Sequence, residues 1–529
     1  MGEYDAVVIG GGPNGLVAAN LLADKGWDVV LLEAQSEVGG AVRSDTGVDP
    51  DFVHDTFSAF YPLGAASPNI QALGLEKHGL VWKHAPAVLG HPLPDGSWGL
   101  LHRDIDLTAA SLEANHRGDG DAWRSLHDDW QKIGPALIDC LMSPMPPLRG
   151  GVRMLAQLPR VGGLSYVKTL LEPARKLAET QFGGEAARLL LAGNAGHADI
   201  PLEAAGSGMM ALLMSMLGQT VGFPVPEGGA GSLSRALARR FESLGGEIRC
   251  DSRVVHVHVV GGRATGVSTQ HGDRVTARAV VADVAAPNLY GGLVPWSDLP
   301  ARTLRGMQRF ELDPATVKVD WALDAPVPWA STPSHAPGTV HIADSLDQLN
   351  VALNQVTAHA IPAEPYLLVG QMTTTDPTRS PAGTESLWAY THVPQEVHRD
   401  AGEGGIRGVW DHDDAERMGD RIQARLEAYA PGFGSTIRSR RVLTPRDLEE
   451  RNENLVGGAI AGGTAALHQQ LVFRPVPGLG RAGTPVPGLF LASASAHPGG
   501  GVHGAPGANA ARAAIAAARL SRLSRIGRS

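Results

Sequence analysis

Residues 3–33 read EYDAVVIGGGPNGLVAANLLADKGWDVVLLE, and this stretch decides the fold. The apolar runs Ala6–Ile9 and Val29–Leu32 predict two buried parallel strands. Between them, Leu16 to Ala23 predict a helix, and Gly26 turns the chain back. Strand, helix and second strand follow one another at the spacing of a β-α-β unit, so an α/β domain begins here.

The turn between the first strand and the helix is rich in glycine. Three glycines follow the spacing G-x-G-x-x-G: Gly10, Gly12 and Gly15. The first permits a tight turn, the second leaves room for a pyrophosphate, and the third lets helix and strand pack closely. The first amides of the helix attract phosphate, and Pro13 and Asn14 within the turn are further candidate cofactor-binding residues. Glu33 ends the second strand, where it would bind a ribose hydroxyl. We therefore predict a dinucleotide site; a glycine-rich turn in an unrelated α/β domain is the alternative.

Length and composition limit the remaining choices. The chain has 529 residues, enough for two or three domains, and its net charge of −9 argues against a general nucleic-acid partner. Cys140 and Cys250 stand in unrelated contexts, which excludes a disulfide framework, a redox pair and a thiolate metal site. The chain enters a strand at once, leaving no room for a signal peptide, and carries no membrane-spanning run, so we expect a cytoplasmic protein.

Residues 34–44 read AQSEVGGAVRS. This extension, with its glycine pair and arginine, resembles that of FAD-binding flavoproteins related to amine oxidases and bacterial phytoene desaturases. The resemblance implies that FAD contacts Ala34, Gly39, Gly40 and Arg43, with the arginine near the pyrophosphate and the flavin. A surface arginine in a loop is the alternative for Arg43.

The resemblance continues along nearly the whole chain. Its further marks are PEGGAGSL at 226–233, the strand beginning at Val254, Ala282-Asp283, Thr444-Pro445, Gly457-Gly458, Arg474-Pro475 and HPGGGVHGAPG at 497–507. The chain is identified as similar to the phytoene desaturase-related FAD-dependent oxidoreductases, within the amine oxidase and GDP-dissociation-inhibitor superfamily. Ser493 and Gly500 depart from the carotenoid desaturase signature, and the loop is closer to the pyridine nucleotide-disulphide oxidoreductase domain-containing protein 2 branch. By the same resemblance, Val254 and Asp283 also contact FAD.

The family implies a discontinuous architecture. We expect a glutathione-reductase-type Rossmann domain that binds FAD and is built from 1–65, 225–290 and 455–529. A mixed α+β substrate domain would comprise a helical insert, 66–224, and a sheet half, 291–454. The active site would lie between the two domains.

The C-terminal loop joins a buried strand at Leu489 to an alanine-rich helix beginning near Ala505. We predict that this loop cradles the pyrimidine edge of the flavin through Gly499, Gly500, Gly501, Val502 and Gly504. The helix dipole would stabilise the negative charge that reduction brings. His503 is a candidate proton donor or orienting group, although we favour a histidine that only packs there. A purely structural glycine turn is the competing account.

Two further residues are weak catalytic candidates. Lys318 lies on a predicted strand, where amine-oxidising relatives use a lysine to hold a water near the flavin; we favour an edge or surface lysine. His54 and Asp55 lie where related flavoproteins pass close to the cofactor, but by themselves read as ordinary loop residues. His256 and His258 lack further ligands at suitable spacing, so we predict no metal site.

The leading function is an FAD-dependent dehydrogenase or desaturase that passes a hydride from a lipophilic substrate carbon to flavin N5. Four methionines on the predicted helix 201–217 would line a lipophilic tunnel or fill a flexible core: Met209, Met210, Met214 and Met216. A flavin amine oxidase is the alternative reaction. A flavin-free, GDP-dissociation-inhibitor-like protein for prenylated or isoprenoid ligands is the alternative of another class. Oxygen or a quinone would accept the electrons.

The C-terminal tail carries one more hypothesis. Five arginines stand among apolar residues in an acid-free stretch: Arg512, Arg519, Arg522, Arg525 and Arg528. A basic amphipathic helix can lie on an anionic membrane, which would give the protein a peripheral membrane contact. We favour a helix that packs on the FAD domain and frays at its basic end.

Overall fold

A computed structural model describes residues 3–198 and 200–526, with side chains as far as 521. The strands are β1 (Tyr4–Ile9), β2 (Val29–Leu32), β3 (Ser44–Asp45), β4 (His54–Asp55), β5 (Trp82–Lys83), β6 (Ala87–Pro92), β7 (Trp98–Leu101), β8 (Val225–Pro226), β9 (Glu247–Arg249), β10 (Val254–Val260), β11 (Arg263–Thr269), β12 (Arg274–Ala282), β13 (Ala315–Leu323), β14 (Pro337–Ile342), β15 (Ala360–Ile361), β16 (Leu367–Gln371), β17 (Glu385–Val393), β18 (Arg399–Asp400), β19 (Ile437–Leu443) and β20 (Leu489–Leu491).

The helices connect and cover these strands. They are α1 (Pro13–Ala23), α2 (Pro62–Ala66), α3 (Pro68–Gln71), α4 (Ile105–Asn115), α5 (Asp119–Met142), α6 (Leu148–Gln157), α7 (Leu164–Leu171), α8 (Ala174–Gln181), α9 (Glu185–Ala195), α10 (Ser207–Thr220), α11 (Gly231–Ser243), α12 (Ala286–Asn288), α13 (Ala301–Met307), α14 (Leu346–Thr357), α15 (Met372–Thr375), α16 (His412–Tyr429), α17 (Pro445–Arg451) and α18 (Ala505–Ile526). None of the helices in the described ranges is both long and apolar enough to cross a bilayer.

The first sheet is built around β1. Its strand order is β10-β11-β12-β1-β2-β9, and β20 also pairs with β12. β1 runs parallel to both β2 and β12, as the apolar runs predicted. Helices α1, α11 and α18 cover one face through side chains such as Leu16, Phe241 and Ala511. The other face buries Val7 and Val280 among residues of β10–β12 and the chain that follows them. This cover on both faces is why the strands are apolar throughout.

Helix α1 begins at Pro13, three residues earlier than the sequence predicted. Gly12 is extended, with φ −66° and ψ 172°, and serves as the N-cap. Proline is well suited to the first helical position because the amide it lacks would have no intrahelical partner. The helix therefore opens directly on the glycine turn.

The second sheet carries the opposing half of the molecule. Its order is β19-β13-β17-β16-β14-β6-β7. One face packs Val319, Trp321 and Leu387 against residues of α16 such as Ile422. Because side chains alternate across a strand, the other face presents Lys318, Asp320, Trp388 and Tyr390. On that face Tyr390 packs against the core of the helical insert, and Lys318 donates to the Asp55 carbonyl.

The helical insert comprises α4–α10. The predicted stripe on α5 is buried at Trp123, Trp130, Ile133 and Leu137, with Leu126 packed against the same core. Met214 and Met216 of α10 belong to that core, while Met209 and Met210 are only partly buried beside it. The first sheet draws its strands from the three stretches assigned to the FAD domain, although the domain limits themselves stay a prediction.

Candidate functional site

The glycine turn leaves no room for side chains. A Cβ on Gly10 would lie 2.6 Å from the Asp283 carbonyl oxygen, and one on Gly15 would lie 2.1 Å from the Gly10 oxygen. A Cβ on Gly12 would lie 2.7 Å from the Asp283 carboxylate. Gly10 also has φ +90°, which L-residues rarely adopt. Gly10 and Gly15 therefore perform the steric roles that their spacing predicted, whereas the Cβ position of Gly12 is occupied by the Asp283 carboxylate. The approach of a pyrophosphate to Gly12 stays a prediction.

Glu33 lies at the end of β2 and braces the turn. Its carboxylate accepts hydrogen bonds from the amide of Gly11 at 2.6 Å and from that of Gln35 at 2.9 Å. The Ser252 amide donates to the Glu33 carbonyl at 2.8 Å, which brings the start of β10 at Val254 beside the strand end and Ala34. The structure thus gathers the residues expected around a ribose; their contact with one stays a prediction.

The second glycine pair closes over the first turn. The Gly39 amide donates to the Gly11 carbonyl at 2.8 Å, and a Cβ on Gly40 would lie 3.0 Å from the Gly12 Cα. Among the described residues, the amides of Gly12, Gly40 and Ala41 have no hydrogen-bond partner. Unpaired amides at a helix start are the donors that a pyrophosphate requires. The residues present therefore fit this part of FAD.

Arg43 is held beside these amides. Its Nε donates to the Gly40 carbonyl at 3.1 Å, and a terminal nitrogen donates to the Arg451 carbonyl at 2.9 Å. The guanidinium also lies 5.7 Å from the centre of the Phe57 ring. These contacts place it against the second loop, in the position expected of an arginine near the pyrophosphate.

Asp283 supports the turn from behind. Its carboxylate accepts the Gly15 amide at 2.8 Å, across 268 residues of chain. Burial, reinforced by the nearby Glu33, raises the pKa of Asp283 to about 7. The Asn14 side-chain oxygen is buried and has no hydrogen-bond partner among the described residues. Asp283 therefore acts on the first amides of α1, a role that the sequence did not reveal.

The C-terminal loop is packed more tightly than predicted. A Cβ on Gly500 would lie 2.7 Å from Ala461, and one on Gly504 would lie 2.7 Å from Val17. These two glycines are needed for packing within the chain. Gly499 and Gly501 adopt φ +117° and +104°, and Gly501 is exposed beside Val502. A flavin cradle at Gly499, Gly501 and Val502 stays a prediction.

His503 caps helix α18. Its Nδ1 accepts the Ala505 amide at 3.1 Å, so Nε2 carries the hydrogen and donates to the Gly500 carbonyl at 3.2 Å. Burial lowers the pKa of His503 to about 4. Both ring nitrogens are therefore used within the loop and the imidazole is neutral at pH 7. These contacts agree with a histidine that packs, and argue against a proton donor.

Lys318 is neither an edge nor a surface residue, so that expectation was wrong. β13 is an interior strand, and Lys318 is 3 % exposed. Its ammonium group pairs with Asp320 and donates to the Asp55 carbonyl at 2.9 Å. Burial lowers the pKa of Lys318, while Asp320 opposes that shift. The lysine is thus committed to an ion pair at the boundary between the two halves.

His54 and Asp55 are not ordinary loop residues either. Both are fully buried in β4, and His54 Nε2 is 3.0 Å from the Trp321 carbonyl oxygen. The Asp55 carboxylate receives the Arg379 guanidinium at 3.0 Å, and Arg379 also contacts Asp376 at 3.1 Å. A buried charge requires such partners. The sequence showed the charged residues but not that remote loops pair them.

An aromatic surface adjoins the predicted flavin loop. Phe60 lies 5.9 Å from Trp388, whose ring stacks on Tyr390 at 5.8 Å and 26°. On the other side, a Cβ on Gly501 would lie 2.9 Å from the Leu63 side chain. We call these four side chains the aromatic shelf: Phe60, Leu63, Trp388 and Tyr390. None of these four side chains was singled out from the sequence.

Two imidazoles stand at the far end of the shelf. His197 Nδ1 is 3.4 Å from the Tyr390 hydroxyl, and His197 Nε2 is 3.1 Å from His341 Nε2. Burial lowers the pKa of His197 to about 3 and lowers that of His341 well below its ordinary value. Both rings are therefore neutral at pH 7.

The surface histidines need no metal. His258 Nε2 is 2.6 Å from the Ser268 hydroxyl, and its ring packs beside His256 at 4.9 Å. Elsewhere in the described ranges, His359, Glu396 and His398 bring ligand atoms within 4.8 Å of one another, all on exposed side chains. That the protein uses no metal stays a prediction.

Comparison with known proteins connects these sites. Residues 8–73 match the NAD(P)-binding Rossmann-like domain, and residues 103–348 match the flavin containing amine oxidoreductase family. A phytoene desaturase (neurosporene-forming) from Rhodobacter capsulatus is 24% identical, covering 94% of this chain and 91% of its own. A putrescine oxidase redesigned in cofactor binding is 17% identical with a TM-score of 0.59, over 97% of this chain and 99% of its own.

These matches confirm the predicted α/β fold with its Rossmann domain, the flavoprotein family and FAD as the cofactor. The flavin-free alternative is therefore not carried further. Pyridine nucleotide-disulfide oxidoreductase domain-containing protein 2 from Mus musculus is 30% identical, over 95% of this chain and 92% of its own. No cysteine pair accompanies that name, since Cys140 and Cys250 are both free. The chain belongs to the family of pyridine nucleotide-disulfide oxidoreductase domain-containing protein 2, and it is an FAD-dependent oxidoreductase.

Proposed function

We propose that this oxidoreductase desaturates a lipophilic substrate, of isoprenoid or acyl character, on the aromatic shelf. The observation that supports the proposal is the shelf itself, an apolar surface continuous with the predicted flavin loop. Gly501 adjoins Leu63, which packs against the same hydrophobic core as the α10 methionines. Phe60 contacts Trp388, and Trp388 stacks on Tyr390. The phytoene desaturase relative acts, by its name, on a molecule of this class.

Bound FAD supplies a hydride acceptor at N5. In the desaturation, one substrate carbon would lose a hydride to that acceptor and its neighbour would lose a proton to solvent water. The electron pair left by the proton would form the second bond between the two carbons. The chain's part is to hold the substrate carbon against the ring and to exclude water. Phe60, Trp388 and Tyr390 offer flat apolar contact for this, and the half-buried Met209 and Met210 adapt to an irregular chain.

The electrostatics of the shelf suit a neutral substrate. His197 and His341 are uncharged at pH 7, and the four shelf side chains include no carboxylate. The nearest buried acid, Asp320, is already paired with Lys318 and Arg441. A cationic amine would therefore find no free negative charge there.

A flavin amine oxidase is the second candidate. The Lys318 nitrogen lies 5.9 Å from the centre of the Trp388 ring, so a lysine does stand behind the shelf, as in amine-oxidising relatives. The match to the amine oxidoreductase family favours the same reaction. Its weakness is that the lysine is engaged by Asp320.

Anaerobic mixing would separate the two reactions. The FAD-loaded protein would be mixed with an isoprenoid hydrocarbon, a long-chain acyl substrate or a polyamine, and bleaching of the flavin absorbance followed. We expect bleaching by a lipophilic compound and formation of its unsaturated product. Bleaching by the amine alone would overturn the proposal. Trp388→Leu should slow the bleaching, whereas Trp296→Leu, at a 64% exposed site, serves as control. Adding oxygen or a quinone afterwards identifies the electron acceptor.

A further inference from the structure

The outer part of the helical insert carries a local positive charge. Residues 143–171 contain four basic residues and no acidic one, in a chain of net charge −9. The four are Arg149, Arg153, Arg160 and Lys168. This run forms α6, a connecting turn and α7.

Helix α6 turns its apolar stripe outward. Leu148, Val152 and Leu155 lie on one helical face and are 74%, 67% and 68% exposed. The helix contacts α5 instead through Gly150, where a Cβ would lie 2.5 Å from the Cys140 Cα. A stripe at this spacing ordinarily faces a protein core. An exposed apolar stripe of this kind marks a surface that a partner covers.

The apolar surface extends beyond α6. On α7, Tyr166 and Leu170 enter the core of the insert, while Leu164 and Leu171 are 86% and 53% exposed. The Gly206 amide donates to the Leu171 carbonyl at 3.1 Å, and a Cβ on Gly206 would lie 3.1 Å from the Leu467 side chain. We call the combined surface the outer apolar face. Its members are Leu148, Val152, Leu155, Leu164, Leu171 and Leu467.

We propose that an anionic lipid bilayer covers the outer apolar face. The exposed leucines would enter the acyl boundary, and Arg149 and Arg160 would meet the lipid head groups. The other two basic residues already pair with acids, Arg153 with Asp139 at 3.0 Å and Lys168 with Glu172 at 3.4 Å. A second copy of the chain fits less well, because a two-fold contact through this face sets the same positive charges opposite one another.

The face also adjoins the candidate site. His497, at the start of the predicted flavin loop, has its Nε2 3.1 Å from the Ser143 carbonyl oxygen at the start of the basic run. The inner side of α7 packs in the same core as the α10 methionines. A membrane on the outer face would therefore lie one helical layer from the shelf. The inference itself requires neither the proposed substrate nor the proposed reaction.

This surface is distinct from the C-terminal tail, for which the sequence offered membrane binding as the less favoured hypothesis. Helix α18 runs to Ile526, but the side chains from residue 522 onward lie outside the described residues. The tail's membrane contact thus stays a hypothesis, and deletion of residues 521–529 separates the two.

The test is vesicle co-sedimentation of the full-length, FAD-loaded protein. Vesicles of phosphatidylcholine mixed with phosphatidylglycerol are compared with phosphatidylcholine alone. We expect binding to the anionic vesicles that weakens with added salt. Replacing Leu148, Val152 and Leu155 together by serine should lower the partition coefficient at least about tenfold. The control replaces three valines elsewhere that are also more than half exposed, at 61%, 54% and 51%: Val260, Val351 and Val409.

A second variant tests the charge without changing the apolar side chains. Arg149→Gln with Arg160→Gln should weaken binding to anionic vesicles and leave the thermal unfolding temperature unchanged. Sedimentation of the serine variant at wild-type level would overturn the proposal. The proposal would also be overturned if vesicle binding were lost only on deletion of residues 521–529. A third contradicting result is a concentration-dependent dimer that the serine variant abolishes, in a protein that does not bind vesicles.

Discussion

The carboxylate of Asp283 accepts a hydrogen bond from the backbone amide of Gly15 at 2.8 Å, where the first helix meets the glycine turn. The acid is buried beside Glu33, and these surroundings raise its pKa to about 7. An acid whose pKa is raised by folding lowers the free energy of unfolding at pH values above its unfolded pKa. The reason is that the unfolded chain releases a proton that the folded chain retains.

The first prediction follows from the sign of that effect. In the folded protein Asp283 keeps its proton up to pH about 7, whereas in the unfolded chain it ionises near pH 4. Its contribution to the free energy of unfolding is therefore greatest below pH 4 and falls as pH rises to 7. Asp283→Asn should remove this fall and raise stability at pH 8 by on the order of 2–4 kcal/mol. Denaturant unfolding of the wild type and of Asp283→Asn between pH 4 and 8 measures this difference. If the two proteins showed the same pH dependence of the unfolding free energy, the raised pKa of Asp283 would be contradicted.

The second prediction concerns the space at Gly12. Its backbone suits any residue, with φ −66°, but a Cβ would lie 2.7 Å from the Asp283 carboxylate. The methyl group would therefore displace that carboxylate, or the turn itself, beside the amides expected to bind the pyrophosphate. Gly12→Ala should keep the fold and weaken FAD binding about tenfold or more, an energy of at least 1.4 kcal/mol. FAD retention after gel filtration, with flavin fluorescence titration, measures the change.

A matched control is available in α6. A Cβ on Gly151 would meet nothing within 4 Å. Gly151→Ala should therefore leave FAD binding unaltered and stabilise the helix by about 0.5–1 kcal/mol. Equal loss of FAD in both variants would remove the steric role of Gly12.

The β-α-β unit could be predicted because its determinants are local. Apolar strands, the glycine spacing and Glu33 all lie within residues 3–33, and each has a steric or electrostatic reason for its position. Only the helix start was misjudged, since Pro13 was not counted as its first residue. Signals that lie within one short segment predict its structure without knowledge of the distant contacts made on folding.

The buried charges could not be predicted for the opposite reason. Lys318 is interior because β17 and β19 pair with β13 on either side, and His54 is buried because β3 and the Trp321 backbone cover it. Lys318 pairs with Tyr390 and Leu443, both of which lie far along the chain from it, and His54 contacts Trp321 across 267 residues. The sequence around Lys318 and His54 contains no signal of these contacts. The predictions of an edge or surface lysine and of an ordinary loop histidine were therefore wrong.

The third prediction tests the Lys318–Asp320 pair. Lys318→Met would leave the fully buried Asp320 with Arg441 as its remaining cation. Removing one partner of a buried pair costs on the order of 3–5 kcal/mol of unfolding free energy. Lys318→Met combined with Asp320→Asn should cost less than Lys318→Met alone, because the unpaired charge disappears with its partner. Simple additivity of the two single variants in denaturant unfolding would show that the residues are not coupled.

The last prediction concerns the acid side of the pH range and the cap at His503. Burial lowers the pKa of His503 to about 4, and that of His91 also to about 4. Between pH 6.5 and 4 the unfolded chain binds protons at these histidines while the folded chain does not, so the free energy of unfolding falls as pH decreases through this window. His503→Asn should remove its share, up to about 3 kcal/mol at pH 4, because asparagine does not titrate and can still accept the Ala505 amide. His503→Ala should remove the same pH dependence but cost about 1 kcal/mol at pH 8, since it leaves that amide uncapped. Thermal unfolding of the three proteins at pH 4, 6 and 8 measures both effects. If His503→Asn kept the wild-type slope between pH 6 and 4, the imidazole would be titrating freely and the cap would not be its role.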